Sequence, residues 1–199
     1  MIVDHVRATG ALLFVLCVYQ IVSFARRSAG RRGLPKPLVA RLCVVFIVLL
    51  FLLWARAGFL LLVGRADALA AEAFFHGRNA LARGAGLVVF LAGNVLVAWA
   101  RAALGRELRP PAIKPEPGSR LILRGPYEWI RHPIYLGDLL IAAGLALVVG
   151  SWTFLAAGLA IIAFLPRTIA LEEALLGEAF GEAYAAYRRH SHRLVPGVW

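Results

Sequence analysis

The chain of 199 residues is 61% apolar and 17% charged, with a mean hydropathy of +0.75, where a water-soluble domain carries about 45–50% apolar and about 25% charged residues. That balance excludes a disordered chain, a coiled coil, a disulfide scaffold and, at this length, a large multidomain machine, and it leaves a small helical bundle in lipid. The net charge of +11, from 22 basic and 11 acidic residues, suits anionic head groups and helix orientation, and no nucleic-acid partner is expected.

A spanning helix needs about 20 mostly apolar residues. Ala8 to Ala25 carries no charge and ends on Arg26 and Arg27, which predicts a first span. It reads as retained rather than cleaved, because Asp4 precedes it and no small-residue cleavage site stands before the arginines. Leu38 to about Ala57 is the second span, with Arg41 and Arg56 near its ends, where long side chains snorkel. Arg65 to Arg83 mixes Asp67, Glu72, His76 and Asn79 with Ala and Phe and reads as an interfacial segment. Gly84 to Ala100 is the third span, bracketed by Arg83 and Arg101.

Ile134 to Leu165 is apolar except for Asp138, too long for one crossing and just enough for two. Gly150-Ser151-Trp152 near its middle supplies a turn, so spans four and five form a tight hairpin, with Pro166 kinking or ending the last helix. From Leu171 onward the chain is amphipathic and reads as a cytoplasmic helix. The segments Arg26 to Lys36 and Arg106 to Arg131 carry five and six basic residues, against three in Arg65 to Arg83. Basic loops stay in the cytoplasm, which sets the amino terminus outside and the carboxyl terminus inside. The fold class is therefore all-α, a polytopic bundle of five transmembrane helices with a cytoplasmic carboxyl-terminal helix. Residues 1–102 form an amino-terminal unit with the 65–83 segment, and residues 103–199 a core of loop, hairpin 133–166 and tail. The composition, rich in Arg, Ala, Gly, Leu and Val, is that of GC-rich genomes and points to a bacterial inner membrane.

Chemistry concentrates in the loop before span four, Gly125-Pro126-Tyr127-Glu128-Trp129-Ile130-Arg131-His132-Pro133-Ile134-Tyr135-Leu136-Gly137. Pro133 suits the first helical position, which puts His132 at the cap and leaves first-turn N–H groups and the positive end of the helix dipole facing the cytoplasm. An anion would bind there, helped by Arg131. Alone, the loop reads equally as a basic interfacial anchor. The acidic pair Glu172-Glu173 returns to the same membrane face after the hairpin, and two carboxylates beside a basic turn suit a cationic, hydroxyl-bearing ligand whose other end is anionic. Cys17 and Cys43 read as small buried hydrophobes, and no metal is expected. Asp138, about one helical turn past the Arg-His-Pro start, reads as a carboxylate near a span end that is either solvated, the favoured reading, or serves the site.

The run Gly125-Pro126-Tyr127 … Arg131-His132-Pro133-Ile134-Tyr135-Leu136-Gly137, followed by Glu172-Glu173 … Phe180-Gly181-Glu182-Ala183-Tyr184 … Tyr187 … Arg193-Leu194-Val195-Pro196, resembles the isoprenylcysteine carboxyl methyltransferase family and its phospholipid methyltransferase relatives. The resemblance covers the carboxyl-terminal half, from about Ala103. It implies a membrane-embedded methyltransferase that uses S-adenosyl-L-methionine, bound at Ser119, Leu121, Ile122, Tyr127, His132, Pro133, Ile134, Tyr135 and Glu172. It also implies a lipophilic or lipidated acceptor near Arg131, Arg167 and Glu173, reached from the lipid bilayer. Family members usually place an Arg four residues before the acidic pair, where this sequence has Thr168 with Arg167 beside it. The family's Asn-Trp after Leu-Gly is also absent, since Arg106-Glu107-Leu108 follows Gly105. The rival readings are a membrane reductase related to sterol reductases, whose members are longer, and a non-catalytic membrane partner or transport subunit.

Overall fold

A computed structural model describes residues 8, 10–19, 22, 38–65, 80–108, 114–195 and 197. All the regular elements among them are helical: α1 (Gly10–Tyr19), α2 (Leu38–Leu62), α3 (Ala80–Leu104), α4 (Pro133–Leu145), α5 (Trp152–Phe180) and α6 (Glu182–His190). Among the described residues three stretches are long and apolar enough to cross a membrane, Ala80–Glu107, Pro133–Gly150 and Trp152–Phe180. The apolar runs Gly10–Tyr19 and Phe51–Leu62 are shorter.

Lipid tails are as apolar as leucine, so helices in a bilayer associate through close packing rather than through apolar burial from water. The α3–α4 pair shows how. A Cβ on Gly93 would lie 2.7 Å from the Gly137 carbonyl oxygen, and one on Gly144 would lie 2.5 Å from the Phe90 nitrogen. Gly86 and Gly93 on α3 therefore meet Gly144 and Gly137 on α4 at backbone contact, with the helices antiparallel. This register carries the end of α3 to the start of α4, where the site lies. Trp54 stands edge-on to Phe90 at 5.1 Å, and with Leu13, Cys17, Leu145 and Phe154 it fills the core that joins α1 and α2 to the hairpin.

The hairpin turn forms as its residues predict. A π turn over Ala146–Gly150 ends at Gly150, whose φ of +68° suits glycine, and the Ser151 hydroxyl then caps α5 by accepting from the Thr153 N–H at 3.2 Å.

Several expected boundaries move. Pro166 does not stop the last span: α5 runs through it to Phe180. Proline removes one backbone hydrogen bond, which neighbouring elements in a membrane protein tolerate. The hairpin therefore extends past residue 166, and Glu172 and Glu173 stand on the spanning helix itself rather than on a separate helix from Leu171. The third helix takes up Ala80–Arg83 from the segment read as interfacial and extends to Leu104. Most of that segment, including His76, lies outside the described residues, as do the first basic loop and the side chain of Cys43.

Candidate functional site

The site is assembled where the loop after α3, the start of α4, the end of α5 and the tail meet. Arg124 donates to the Ala103 carbonyl at 3.2 and 3.1 Å, satisfying one of the last carbonyls of α3. Gly125, at φ +64°, turns the chain beside the Trp99 indole, and its N–H donates to Glu128 Oε1 at 3.2 Å. The short helical turn Gly125–Glu128 then seats Tyr127, 7% exposed, against Ala100, Ala103, Ile122 and Ile134.

α4 begins at Pro133 with His132 in the cap position. The tail runs alongside: the Arg131 N–H donates to the His192 carbonyl at 2.8 Å, the His192 N–H to Trp129 at 2.9 Å and the His132 N–H to Arg193 at 3.1 Å. Glu173 lies at the centre, its side chain 4% exposed, accepting from Arg131 Nε at 2.8 Å and from Arg193 Nη2 at 3.1 Å. Arg131 also donates to the Ser191 carbonyl. Leu194 packs on Leu165 and Ile169 of α5, which closes the clasp from its apolar side.

Glu172 faces a different set of groups. Tyr135 Oη donates to Glu172 Oε2 at 2.8 Å, and the Tyr135 and His132 rings stack at 5.6 Å, 22° apart. His132 Nδ1 is 3.9 Å from Glu172 Oε2, while Nε2 is 3.5 Å from Glu173 Oε1, close but without hydrogen-bond alignment. The Glu172 side chain is 32% exposed, against 4% for Glu173. One carboxylate is thus consumed by the fold, and the other remains accessible.

Three tyrosines complete the wall. Tyr187 Oη donates to the Tyr127 carbonyl at 2.7 Å. Tyr184 is 1% exposed, its hydroxyl has no hydrogen-bond partner among the described residues, and its ring meets Tyr187 edge-on at 6.0 Å. Burial raises the Tyr127 hydroxyl well above the usual phenol value, helped by the Glu172 charge, and burial likewise raises Tyr184. Burial pushes Tyr187 up to about 12. All three remain protonated donors at neutral pH.

Of the residues expected at the site, His132, Tyr135 and Glu172 meet directly, Pro133 opens α4 beside them, and Tyr127, Ile122 and Ile134 form an apolar cluster. Ser119 and Leu121 are half-buried in the run that leads into it. Arg131 and Glu173 are bound to each other, so the Arg131 guanidinium is engaged by the clasp rather than open at the helix start. Arg167 is exposed, whereas Thr168 is fully buried and donates to the Phe164 carbonyl at 3.2 Å. Asp138 is half-buried in the second turn of α4. Nothing in the sequence points to Ser191; Tyr184, Tyr187 and Arg193 enter only through the run that carries the resemblance, without a role of their own, and Arg101 only as the bracket of a span. The even spacing of Tyr184 and Tyr187 on one helix face was the available signal for two of them; Arg101 gave none beyond its place at a span end.

The arrangement suits a ligand with a cationic or hydroxyl-bearing part. The accessible Glu172 carboxylate can receive an ammonium or hydroxyls, the stacked His132 and Tyr135 rings present faces to a cation or a ring, and the orphaned Tyr184 hydroxyl is a buried donor in want of an acceptor. Among the described residues no group of three His, Cys, Asp or Glu could hold a metal ion.

Residues 81–183, more than half of the chain, match the family model described as phospholipid methyltransferase. No curated protein matches the chain in sequence. Among solved structures, the eukaryotic intramembrane Ras methyltransferase, isoprenylcysteine carboxyl methyltransferase, superposes with a TM-score of 0.53 over 98% of both chains at 18% identity. At that identity the likeness is one of fold.

Proposed function

The chain belongs to the phospholipid methyltransferase family and is an integral-membrane methyltransferase, and from that premise we propose that its donor is S-adenosylmethionine and its acceptor a lipophile that reaches the site from the bilayer. When bound, such a donor supplies a methyl carbon whose bond to a sulfonium sulfur breaks with the electron pair kept by sulfur. The protein's part is to bind, orient and exclude water.

The observation that carries this reading is the junction of Tyr135 with Glu172 beside the His132 ring, at the mouth of the α4–α5 hairpin. Glu172 receives the donor's ammonium or ribose hydroxyls, the Tyr135 and His132 faces stabilise the sulfonium charge, and Tyr127, Ile122 and Ile134 line the apolar side. Arg131 and Glu173 act through the clasp, holding the tail as a cover that keeps water from the reacting atoms. A carboxylate acceptor is already ionised at neutral pH and needs no general base. Alignment of its oxygen with the methyl carbon then supplies the catalysis, worth about 7–11 kcal/mol in favourable geometries.

α1 and α2 are read as two further spans, giving five, with the basic loops and the tail on the cytoplasmic side. The deciding experiment is equilibrium binding of labelled S-adenosylmethionine to the full chain in nanodiscs. Saturable binding that Glu172→Ala abolishes is the expected result; no binding, or binding indifferent to Glu172→Ala, overturns the reading. Transfer of label from the donor methyl into the lipid, quinone or protein fraction of membranes then gives the acceptor class.

A further inference from the structure

The helical turn Gly125–Glu128 that seats Tyr127 ends on a backbone group that the turn itself leaves unserved. In a regular helix the Tyr127 carbonyl would accept from the N–H of Ile130 or Arg131. Here Ile130 donates to the Pro126 carbonyl at 3.0 Å and Arg131 to the His192 carbonyl at 2.8 Å. The donor comes from the tail instead: Tyr187 Oη lies 2.7 Å from the Tyr127 carbonyl oxygen and 3.5 Å from that of Ile130. Tyr127 as a whole is 7% exposed, and a backbone carbonyl shut away from water needs a partner. The phenol hydroxyl thus stands in for a backbone bond that the turn has given up.

Tyr187 is itself held in place. The Ser191 hydroxyl donates to the Tyr187 carbonyl at 2.7 Å, and Arg131 Nη1 donates to the Ser191 carbonyl and lies 3.3 Å from its hydroxyl oxygen. The Nε of the same arginine donates to Glu173, the chain neighbour of Glu172, at 2.8 Å. One continuous set of bonds therefore runs from the acidic pair on α5 through Arg131, Ser191 and Tyr187 to the backbone of Tyr127. The two walls of the donor site, the Tyr127 turn and Glu172, stand on elements far apart in the chain, and this set ties them together. We infer that Tyr187 is a positioning residue of the donor site: its hydroxyl holds the Tyr127 turn in register with Glu172, so that α6 sets donor affinity without touching the donor. A turn left free to shift has to be ordered when the donor arrives, and that ordering is taken from the affinity. The Tyr187 ring meets Tyr184 edge-on at 6.0 Å, a contact that survives loss of the hydroxyl and separates the bond from the packing.

This inference rests on the proposed donor, and a double-variant cycle tests it on the full chain in nanodiscs with labelled S-adenosylmethionine as the probe. Tyr187→Phe keeps the ring, loses the hydroxyl and should weaken donor binding about fivefold to tenfold. Tyr127→Ala removes the wall that Tyr187 positions, so adding Tyr187→Phe to it should cost less than about twofold more. Deuterium exchange supplies a readout that general loosening would not imitate. Residues 125–131 should exchange faster in Tyr187→Phe, saturating donor should reverse the change, and residues 137–145 of α4 should exchange as before. Donor affinity within about twofold of the unmodified protein in Tyr187→Phe, additive losses in the double variant, or faster exchange spread through α4 overturns the inference and leaves the donor reading standing. If Tyr127→Ala fails to fold, the exchange pattern decides: a change confined to residues 125–131 and reversed by donor supports the positioning role, and any other pattern rejects it. No binding of S-adenosylmethionine by the unmodified protein removes the donor reading and this inference with it.

Discussion

Tyr135 Oη donates to Glu172 Oε2 at 2.8 Å, joining the first turn of α4 to the last third of α5 across the hairpin. The contact fixes the distance between the ring stack and the accessible carboxylate, so binding at one depends on the other.

Donor binding should therefore fall when either partner of that bond is changed. A hydrogen bond to a charged group contributes about 1.5–3 kcal/mol, and with Glu172 about a third exposed the lower end applies. Tyr135→Phe is expected to weaken S-adenosylmethionine binding about tenfold, and Glu172→Gln, which keeps the shape and loses the charge, by at least as much. Isothermal titration checks both; wild-type affinity in Glu172→Gln would sink the assignment.

Glu173 should behave differently from its neighbour. Removing one partner of a buried pair leaves the other charge uncompensated, at a cost of about 3–5 kcal/mol. Glu173→Gln strands Arg131 and loosens Arg193, so the tail should become sensitive to trypsin at Arg188, Arg189 and Arg193, with a lowered thermal midpoint. In Glu172→Gln the tail should stay as protected as in the unmodified protein. Equal protection in the two variants would contradict the division of labour between them.

The α3–α4 contact predicts a position-dependent series. Gly93→Ala and Gly144→Ala place a Cβ within 2.7 and 2.5 Å of opposing backbone, where the helices themselves must move, and overpacking of this kind costs about 1–3 kcal/mol or more. At Gly84 a Cβ meets nothing within 4 Å, so Gly84→Ala should leave stability unchanged or slightly raised. Thermal unfolding in one detergent compares the three directly.

Tyr187 gives a pH signature. Its folded value, raised chiefly by burial to about 12, lies above the ordinary phenol value of about 10, so the folded state holds this proton more tightly than the unfolded chain does. The stability this contributes is complete below pH ~10 and is lost as pH rises toward ~12. The unmodified protein should lose thermal stability more steeply than Tyr187→Phe between those limits, with a constant difference below pH 9. Parallel curves up to pH 12 would show that the Tyr187 hydroxyl is not held as described.

The residues alone make legible a helical membrane protein, the start of α4 at Pro133 behind His132, a hairpin turning at Gly150-Ser151, and the placing of the Arg-His-Pro turn and the acidic pair at one end of the bundle. Each of these follows from local chemistry: apolar run length, the fixed φ of proline, a Gly-Ser-Trp turn and the parity of the spans. Tertiary structure alone decided that Glu172 stays accessible while Glu173 disappears into a clasp with Arg131 and Arg193, and that Arg101 is enclosed rather than snorkelling. Adjacent residues on a helix point about 100° apart, so their fates depend on what packs against each direction. Here that is set by a tail far along the chain and by glycine contacts that fix the register of α3 on α4. Pro166 shows the same limit from the other side: its local effect argues for a break, and the helices around it keep α5 continuous.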